Sequence, residues 1–342
     1  KTPTIGFLSH FDTATEVSGR NVKARLVENY DGGEITYPAN PSLKLTPEIS
    51  PALKNCVGHT VITSDGTTLL GGDDKAGLSV IVEMGHHFKE NPSLPHGRIR
   101  VAIIPDEEIG VGTEKLDLKK FGVDFAYTID GGETGLIDVE SFNGFMGKIE
   151  VEGCAAFPGY GKGQYTNAAQ VLSRFVAAMP AERWPQNCDG RQPIWWVERM
   201  EGTTSKASTA IYLRDFDLEG IEEAKGILES IRKDVMKEFP KAKISIDINE
   251  TYRNYRYELD RDPRVVAYAE EAMKRVGIAP KRNFVRGGND SCHLCFAGLL
   301  STNLFIGMQN MHSLMEWNTV ESIEAALKTV VSLAGVWVDK AV

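Results

Sequence analysis

Short motifs in this 342-residue sequence set carboxylates and imidazoles at the ends of apolar runs or near glycine, where they could do chemistry. The first, Ser-His-Phe-Asp, places His10 and Asp12 two residues apart at the end of an apolar run. An imidazole nitrogen is a good ligand for a borderline divalent ion. An aspartate on the same side of an extended chain can orient that ring through its other nitrogen. The second, Gly-Gly-Asp-Asp-Lys-Ala-Gly, puts Asp73 and Asp74 between a glycine pair and a helical pattern. Glycine permits close approach, so a carboxylate here can bridge two ions. Helix capping by Asp73 or Asp74 is the alternative. The third, Pro-Asp-Glu-Glu-Ile-Gly, ends a strand pattern with Glu107 and Glu108. Adjacent carboxylates repel unless a cation or a proton compensates. Such a pair can divide its labour, one acid ligating metal while the other takes a proton from water. A solvated acidic turn is the alternative.

The fourth motif, Tyr-Thr-Ile-Asp-Gly-Gly, ends an apolar run with Asp130, where a plain Asp-Gly turn is the alternative. Far downstream, Asn-Met-His-Ser-Leu-Met-Glu-Trp adds His312 and Glu316. Two imidazoles and three carboxylates suit two Zn, Co or Mn ions about 3.5–4 Å apart with one carboxylate shared. The other histidines fit less well: His86, His87 and His96 fall at a helix end and in a loop, and His59 opens a strand. Cys292 and Cys295 form a C-x-x-C, but no second cysteine pair completes a zinc site. The segment reads as a packed helix.

These residues need elements to position them. IGFLSH, RIRVAIIPDEE and FAYTIDG read as buried strands, and DDKAGLSVIVEMGHHFKEN as a helix of about 15 residues with an apolar stripe. HTVITSDGTTLLG carries a hairpin signal at Asp65-Gly66. Strands separated by helices, with acids at the strand ends, imply an α/β sheet whose ligands gather beyond the carboxyl ends. From about Asn143 the pattern becomes strand-helix-strand-helix-strand, a compact α+β insertion with helices on one face of a small antiparallel sheet. After Pro263 the earlier style returns, through the strand TNLFIG to a terminal helix. The expected architecture is therefore α/β and two-domain. A central mixed sheet flanked by helices takes residues 1–142 and 258–342, and the insertion takes 143–257. The segment AERWPQNCDGRQPIWWVERMEG is the least regular, with Trp184, Trp195 and Trp196 either packed under a loop or lining a cleft.

Composition excludes several classes. The formal charge is −9, from 38 basic and 47 acidic residues, with no dense basic patch. That is the wrong balance for a nucleic-acid partner. No apolar run is long enough to span a membrane. The five cysteines are odd in number and irregular in spacing, which fits a reducing, cytoplasmic location. The chain opens almost inside a core strand, so residues before Lys1 are expected.

Taken together, SHFDT, GGDDKAG, IPDEEIG, YTIDGG, VRGGND and the His-x-x-x-Glu of MHSLMEW resemble the aminoacylase-type two-metal metallopeptidases, over the chain from about Ile5 onward. The resemblance implies an exopeptidase that releases the N-terminal residue from short peptides with free termini, tripeptides first, with no nucleic-acid or membrane partner. His10, Asp73, Glu108, Asp130 and His312 would hold two divalent ions, zinc before cobalt or manganese. Asp12 would steer His10, and Glu107 would be the general base for a water activated between the ions. Arg214 and Arg286 would hold the peptide carboxylate, with Asn254 and Phe157 as further substrate contacts. The insertion would be a lid, and a homodimer would be in keeping with the family. Related activities are a dipeptidase or an N-acyl amino acid amidase. One departure stands out: the lid position that holds a histidine in the family is Phe157 here. Losing one such hydrogen-bond donor to a developing oxyanion costs about 2.7–4 kcal/mol. A homologue that binds metal and peptide with weak activity is therefore a further alternative.

Overall fold

The computed structural model describes residues 2–341. The chain forms two compact units. One contains the residues up to Val139, Tyr255–Phe284 and those from Asn289 onward; the other contains Glu140–Asn254 and the short segment Val285–Gly288. The sequence marked that short segment as the start of the VRGGND motif but not as part of the insertion.

The first unit is built on a six-stranded mixed sheet. Its order is Lys281–Val285, Leu136–Ser141, Ser301–Phe305, Phe125–Gly131, Ile5–His10, Ile99–Ile104. Ile5–His10 pairs in parallel with both Ile99–Ile104 and Phe125–Gly131, and Ser301–Phe305 runs parallel to Phe125–Gly131. Leu136–Ser141 is antiparallel to Ser301–Phe305. Every residue of Ile5–His10 is buried, as a parallel strand covered on both faces requires. The helix Gly72–Glu90 lies on this strand and on Phe125–Gly131, and packs against the terminal helix Val320–Asp339. Its stripe Ala76, Val80, Ile81, Met84 and Phe88 is buried. Each large apolar side chain so covered contributes about 1.5–3 kcal/mol. The parallel strands share one direction, so His10, the loop after Ile104 and Asp130 come to the same edge of the sheet.

One sequence expectation fails here. Asp65-Gly66 does turn the chain, but no second hairpin arm follows. Val61–Thr63 pairs instead with Arg25–Val27 and Trp317–Thr319. Ser64 Oγ donates to the Thr68 carbonyl and accepts from Gly66 N–H, so the turn closes on its own side chain. Farther on, Leu69 N–H bonds the Ser18 carbonyl, and Leu70 and Gly71 N–H bond a carboxylate rather than a strand.

The second unit is a four-stranded antiparallel sheet in the order Ile194–Gly202, Lys206–Asp215, Asn143–Glu152, Lys243–Tyr252. Ala168–Ala177 and Leu218–Glu238 cover one face, around a core that includes Ile149, Phe175, Trp195, Ile211 and Leu228. Asn143–Glu152 alternates buried and exposed residues along most of its length, as expected with one solvated face. The strand Ile194–Gly202 arises from the segment that looked irregular. A bulge between Val197 and Arg199 breaks its period of two, and its second half is exposed at the sheet edge. Trp195 enters the core, whereas Trp184 and Trp196 line an apolar concavity.

Among the described residues no helix is long and apolar enough to cross a membrane. All five cysteines are free. Cys295 Sγ bonds both backbone groups of Ser301, and burial pushes its thiol up to about 12, so it packs rather than reacts.

Candidate metal centre

His10 ends its strand with both ring nitrogens facing carboxylates. Nε2 lies 3.0 Å from Asp73 Oδ1 and 3.7 Å from Asp130 Oδ1. Nδ1 lies 3.3 Å from Asp12 Oδ1, close but without hydrogen-bond alignment. The two oxygens of Asp12 accept from the backbone N–H groups of Glu107 and Glu108 at 3.3 and 3.2 Å. Asp12 thus joins the His10 strand end to the acidic loop.

The paired aspartates take opposite roles. Asp74 points into the protein, where Oδ2 accepts from Ser9 Oγ at 2.5 Å and from His10 N–H at 3.3 Å, and Oδ1 accepts from Gly77 N–H at 3.1 Å. Asp73 points the other way. Its Oδ1 faces His10 and its Oδ2 faces His312 Nε2 at 3.3 Å. Helix Gly72–Glu90 can come this close only through Gly77, where an added Cβ would lie 1.9 Å from the Ile129 carbonyl oxygen.

His312 Nε2 is also 3.1 Å from Glu108 Oε2, while Glu108 Oε1 is buried with no partner. Nδ1 of His312 lies 3.3 Å from Glu16 Oε1. Four residues on, Glu316 accepts from the N–H groups of Leu70, Gly71 and Asp73 at 2.8, 2.9 and 3.1 Å. The loop that presents His312 therefore also holds the loop that presents Asp73.

Two groups of three donors result, His10–Asp73–Asp130 and Asp73–Glu108–His312, each with ligand atoms within 4.8 Å of one another and with Asp73 common to both. Their electrostatics match cations. Burial opposes a charge on His10, but Asp130 and Asp73 overcome it and raise the imidazole to about 12. Hydrogen bonds to Asp73 and Glu108 raise His312 to about 11. Burial would raise Asp73, yet the two imidazoles hold it well below the usual carboxylate range. Asp130 is pushed up to about 7 by burial and by Asp73. Without cations, three carboxylates here are balanced only by protons on both imidazoles. Two divalent ions supply that positive charge instead, so the residues fit such a pair.

Glu107 lies beside these groups. Burial raises its carboxyl to about 9, helped by the charges of Asp130 and Asp290. Its side chain has no hydrogen-bond or ion-pair partner among the described residues. Sequence reasoning passed over Asp290 and Asn303. Asp290 closes the VRGGND motif, is buried near Glu107, and is raised to about 6 by burial. Asn303 is an amide inside a buried strand, and that was its only signal.

The remaining candidates lie in the second unit. The Arg214 guanidinium sits over the rings of Trp196 and Tyr252, at 4.8 and 5.6 Å, and donates to the Arg286 carbonyl at 3.3 Å. Arg286 donates to the Cys188 carbonyl at 3.3 Å and reaches exposed Asp189 at 3.4 Å. The Nε of each arginine is buried without a partner. Asn254 is fully buried: its Oδ1 accepts from Ser141 N–H, and its Nδ2 donates to Glu140 and to the Phe216 carbonyl. That placement gives its amide internal hydrogen-bond partners. Phe157 is 72% exposed, at the start of a short turn, with its ring 5.8 Å from that of Tyr160.

A sequence profile of peptidase family M20/M25/M40 matches residues 65–335. The chain belongs to the M20 peptidase family. Among M20 relatives, peptidase T of Clostridium perfringens is 38% identical over 338 residues, 99% of this chain and 83% of that protein. Peptidase T of Bacillus subtilis is 37% identical over 332 residues, 97% and 81% respectively. The crystal structure of aminopeptidase PepT from Bacillus cereus superposes with a TM-score of 0.76 at 25% identity, covering 98% of this chain and 81% of that one. A tripeptidase from Staphylococcus aureus shares the fold at the same TM-score of 0.76 and 21% identity, covering 99% and 82%. M20 membership and the paired donor groups make this chain a two-metal exopeptidase of the peptidase T type.

Proposed function

We propose that the chain is an aminopeptidase for short peptides, tripeptides first, with Glu107 as its general base. The observation that carries the reading is Asp73, which turns one oxygen to each imidazole and so makes a single carboxylate common to two ion positions. The donor set of imidazoles and carboxylates suits zinc. Bound ions lower the pKa of water and polarise the scissile carbonyl. The protein's own groups do the rest. Burial and the charges of Asp130 and Asp290 raise Glu107, and cations nearby would oppose that rise. With cations in place its carboxylate becomes the stable form, able to take a proton from the attacking water and pass it to the leaving amine. Asp12 keeps His10 and the Glu107–Glu108 loop in register.

In the second unit, two neighbouring guanidiniums with unpartnered Nε groups suit the free carboxylate of a short peptide. The names of the relatives, peptidase T and tripeptidase, point to the same substrate class. Five free thiols suit a reducing cytoplasm. Phe157 alone favours a second reading, a metal- and peptide-binding homologue of low turnover, because its ring cannot donate a hydrogen bond. Glu107→Gln tests the first reading. It should keep both ions and lose turnover on a tripeptide, because an amide cannot accept the proton. Turnover near the parent value would refute the assignment. Amidating the peptide's C terminus should raise KM, and an unchanged KM would remove the arginine pair from the account.

A further inference from the structure

Asp130 reaches the metal centre through an irregularity in the sheet. Along the parallel ladder Leu304 pairs with Ile129 and Phe305 with Gly131, so Asp130 is the extra residue of a bulge. A bulge leaves that residue outside the ladder and re-aims its side chain. Its N–H then needs another acceptor, and Asn303 Oδ1 provides one at 3.1 Å. The same oxygen accepts from Thr128 Oγ1 at 2.7 Å. At the other end of the amide, Asn303 Nδ2 donates to Asp138 Oδ2 at 2.9 Å, and Asp138 Oδ1 accepts from Asn283 Nδ2 at 2.7 Å. Asn303 and Asp138 are both buried. Gly131 allows the bulge to close, since a Cβ there would lie 2.7 Å from the Leu304 carbonyl oxygen.

This line of side chains runs across four strands and ends on one ligand. Asn283, Asp138, Asn303 and Thr128 bond one another and the backbone of Asp130. No hydrogen bond among the described residues runs from any of them to Glu108 or His312. The orientation of the Asn303 amide is fixed from both sides. Its oxygen must face two donors and its NH₂ must face a carboxylate, so the amide cannot flip without losing all three bonds.

We propose that Asn303, held in orientation by Asp138, is a positioning residue that fixes Asp130 and thereby sets the affinity of one of the two ion positions, His10–Asp73–Asp130, leaving the other alone. The inference rests on the two-ion reading above. Outer partners of metal ligands are typically worth about 10–100-fold in metal affinity. An asymmetric effect separates positioning from general stability, because a loosened fold would weaken both positions together.

The test is a swap. Asn303→Asp keeps an acceptor for the Asp130 N–H but sets two carboxylates against each other. Adding Asp138→Asn restores the pair with donor and acceptor exchanged: the new amide keeps its oxygen toward Asn283 and turns its NH₂ to residue 303. Zinc affinities of the full-length chain are measured by competition with a chromophoric chelator, with Asp130→Asn and His312→Ala as references for the two positions. The expected result is that Asn303→Asp weakens one ion by about 10–100-fold, spares the other, and regains most of the loss in the double variant. Parent-like binding of both ions, equal weakening of both, or a double variant no better than the single would each overturn the proposal. Asn283→Ala, at the far end of the line, is the milder variant should Asn303→Asp not fold. It should weaken the same ion by a smaller factor, and parent-like binding there would overturn the relay. If Asp130→Asn itself leaves both ions bound as in the parent, the two-ion reading has failed and the relay falls with it.

Discussion

Glu316 allows a perturbation that leaves every ligand of the centre in place. Its carboxylate is 1% exposed and accepts three backbone N–H groups of the loop that aims Asp73. Burial raises its carboxyl, while the N–H groups of Gly71, Asp73 and Leu70 oppose the rise. Each hydrogen bond to a charged group is worth about 1.5–3 kcal/mol, so three total roughly 4.5–9 kcal/mol gross. The desolvation of a buried carboxylate, several kcal/mol, offsets part of this. Glu316→Ala should therefore release about 2–4 kcal/mol of loop placement. At about 1.4 kcal/mol per tenfold, metal affinity should fall by roughly 30- to 1,000-fold. Because Asp73 is common to both donor groups, both ions should weaken together, in contrast to the one-sided effect expected at Asn303. Glu316→Gln keeps one acceptor oxygen and should fall between the two. Isothermal titration with zinc, beside thermal melts of the metal-free and loaded protein, measures the effect. Two ions bound at parent affinity in Glu316→Ala, or the loss of only one, would refute the reasoning.

Metal binding should release protons. In the metal-free protein His10 and His312 stay protonated through neutral pH, being raised to about 12 and about 11. Each imidazole must give up its proton to become a ligand, so affinity should rise with pH; titrations in buffers of different ionisation enthalpy should show this, and buffer-independent heats would contradict it. Gly77→Ala should lower Tm by about 2–12 °C, since its Cβ would strike the Ile129 carbonyl. Gly85→Ala, on the same helix with nothing within 4 Å, should hold or raise Tm, and equal losses in the two variants would reject the close-approach argument. Phe157→His should raise kcat by about 10²–10³-fold at unchanged metal content if the missing donor limits turnover. An unchanged kcat would show that another group serves.

His10, Asp73, Glu108 and Asp130 were legible because each follows an apolar run or adjoins glycine, and His312 because a second imidazole comes soon after the strand pattern NLFIG; these patterns survive without knowledge of the partner strands. What the sequence left open was direction. Nothing in the motif distinguishes Asp73 from Asp74; Ser9, from elsewhere in the fold, claims Asp74 and leaves Asp73 to the centre. The bulge at Asp130 was hidden for the same reason, since it exists only in the register with Ser301–Phe305. The strand Ile194–Gly202 lost its alternation to a second bulge. At Asp65-Gly66 the local turn signal was real, but the second arm is missing because Leu69 N–H bonds the Ser18 carbonyl and Leu70 and Gly71 N–H bond Glu316, some 245 residues away. Long-range partners decided each of these cases.

The central claim, that one carboxylate shared between two imidazoles makes a two-ion aminopeptidase, has a direct test. The chain is stripped with a chelator and given zinc in steps, while ions bound and hydrolysis of a tripeptide with a free amine are followed together. Binding should saturate at two ions, activity should appear as the centre fills, the N-terminal residue should be released, and Asp73→Ala should lose tight binding of both ions. Saturation at one ion, or two tightly bound ions in Asp73→Ala, would contradict the claim.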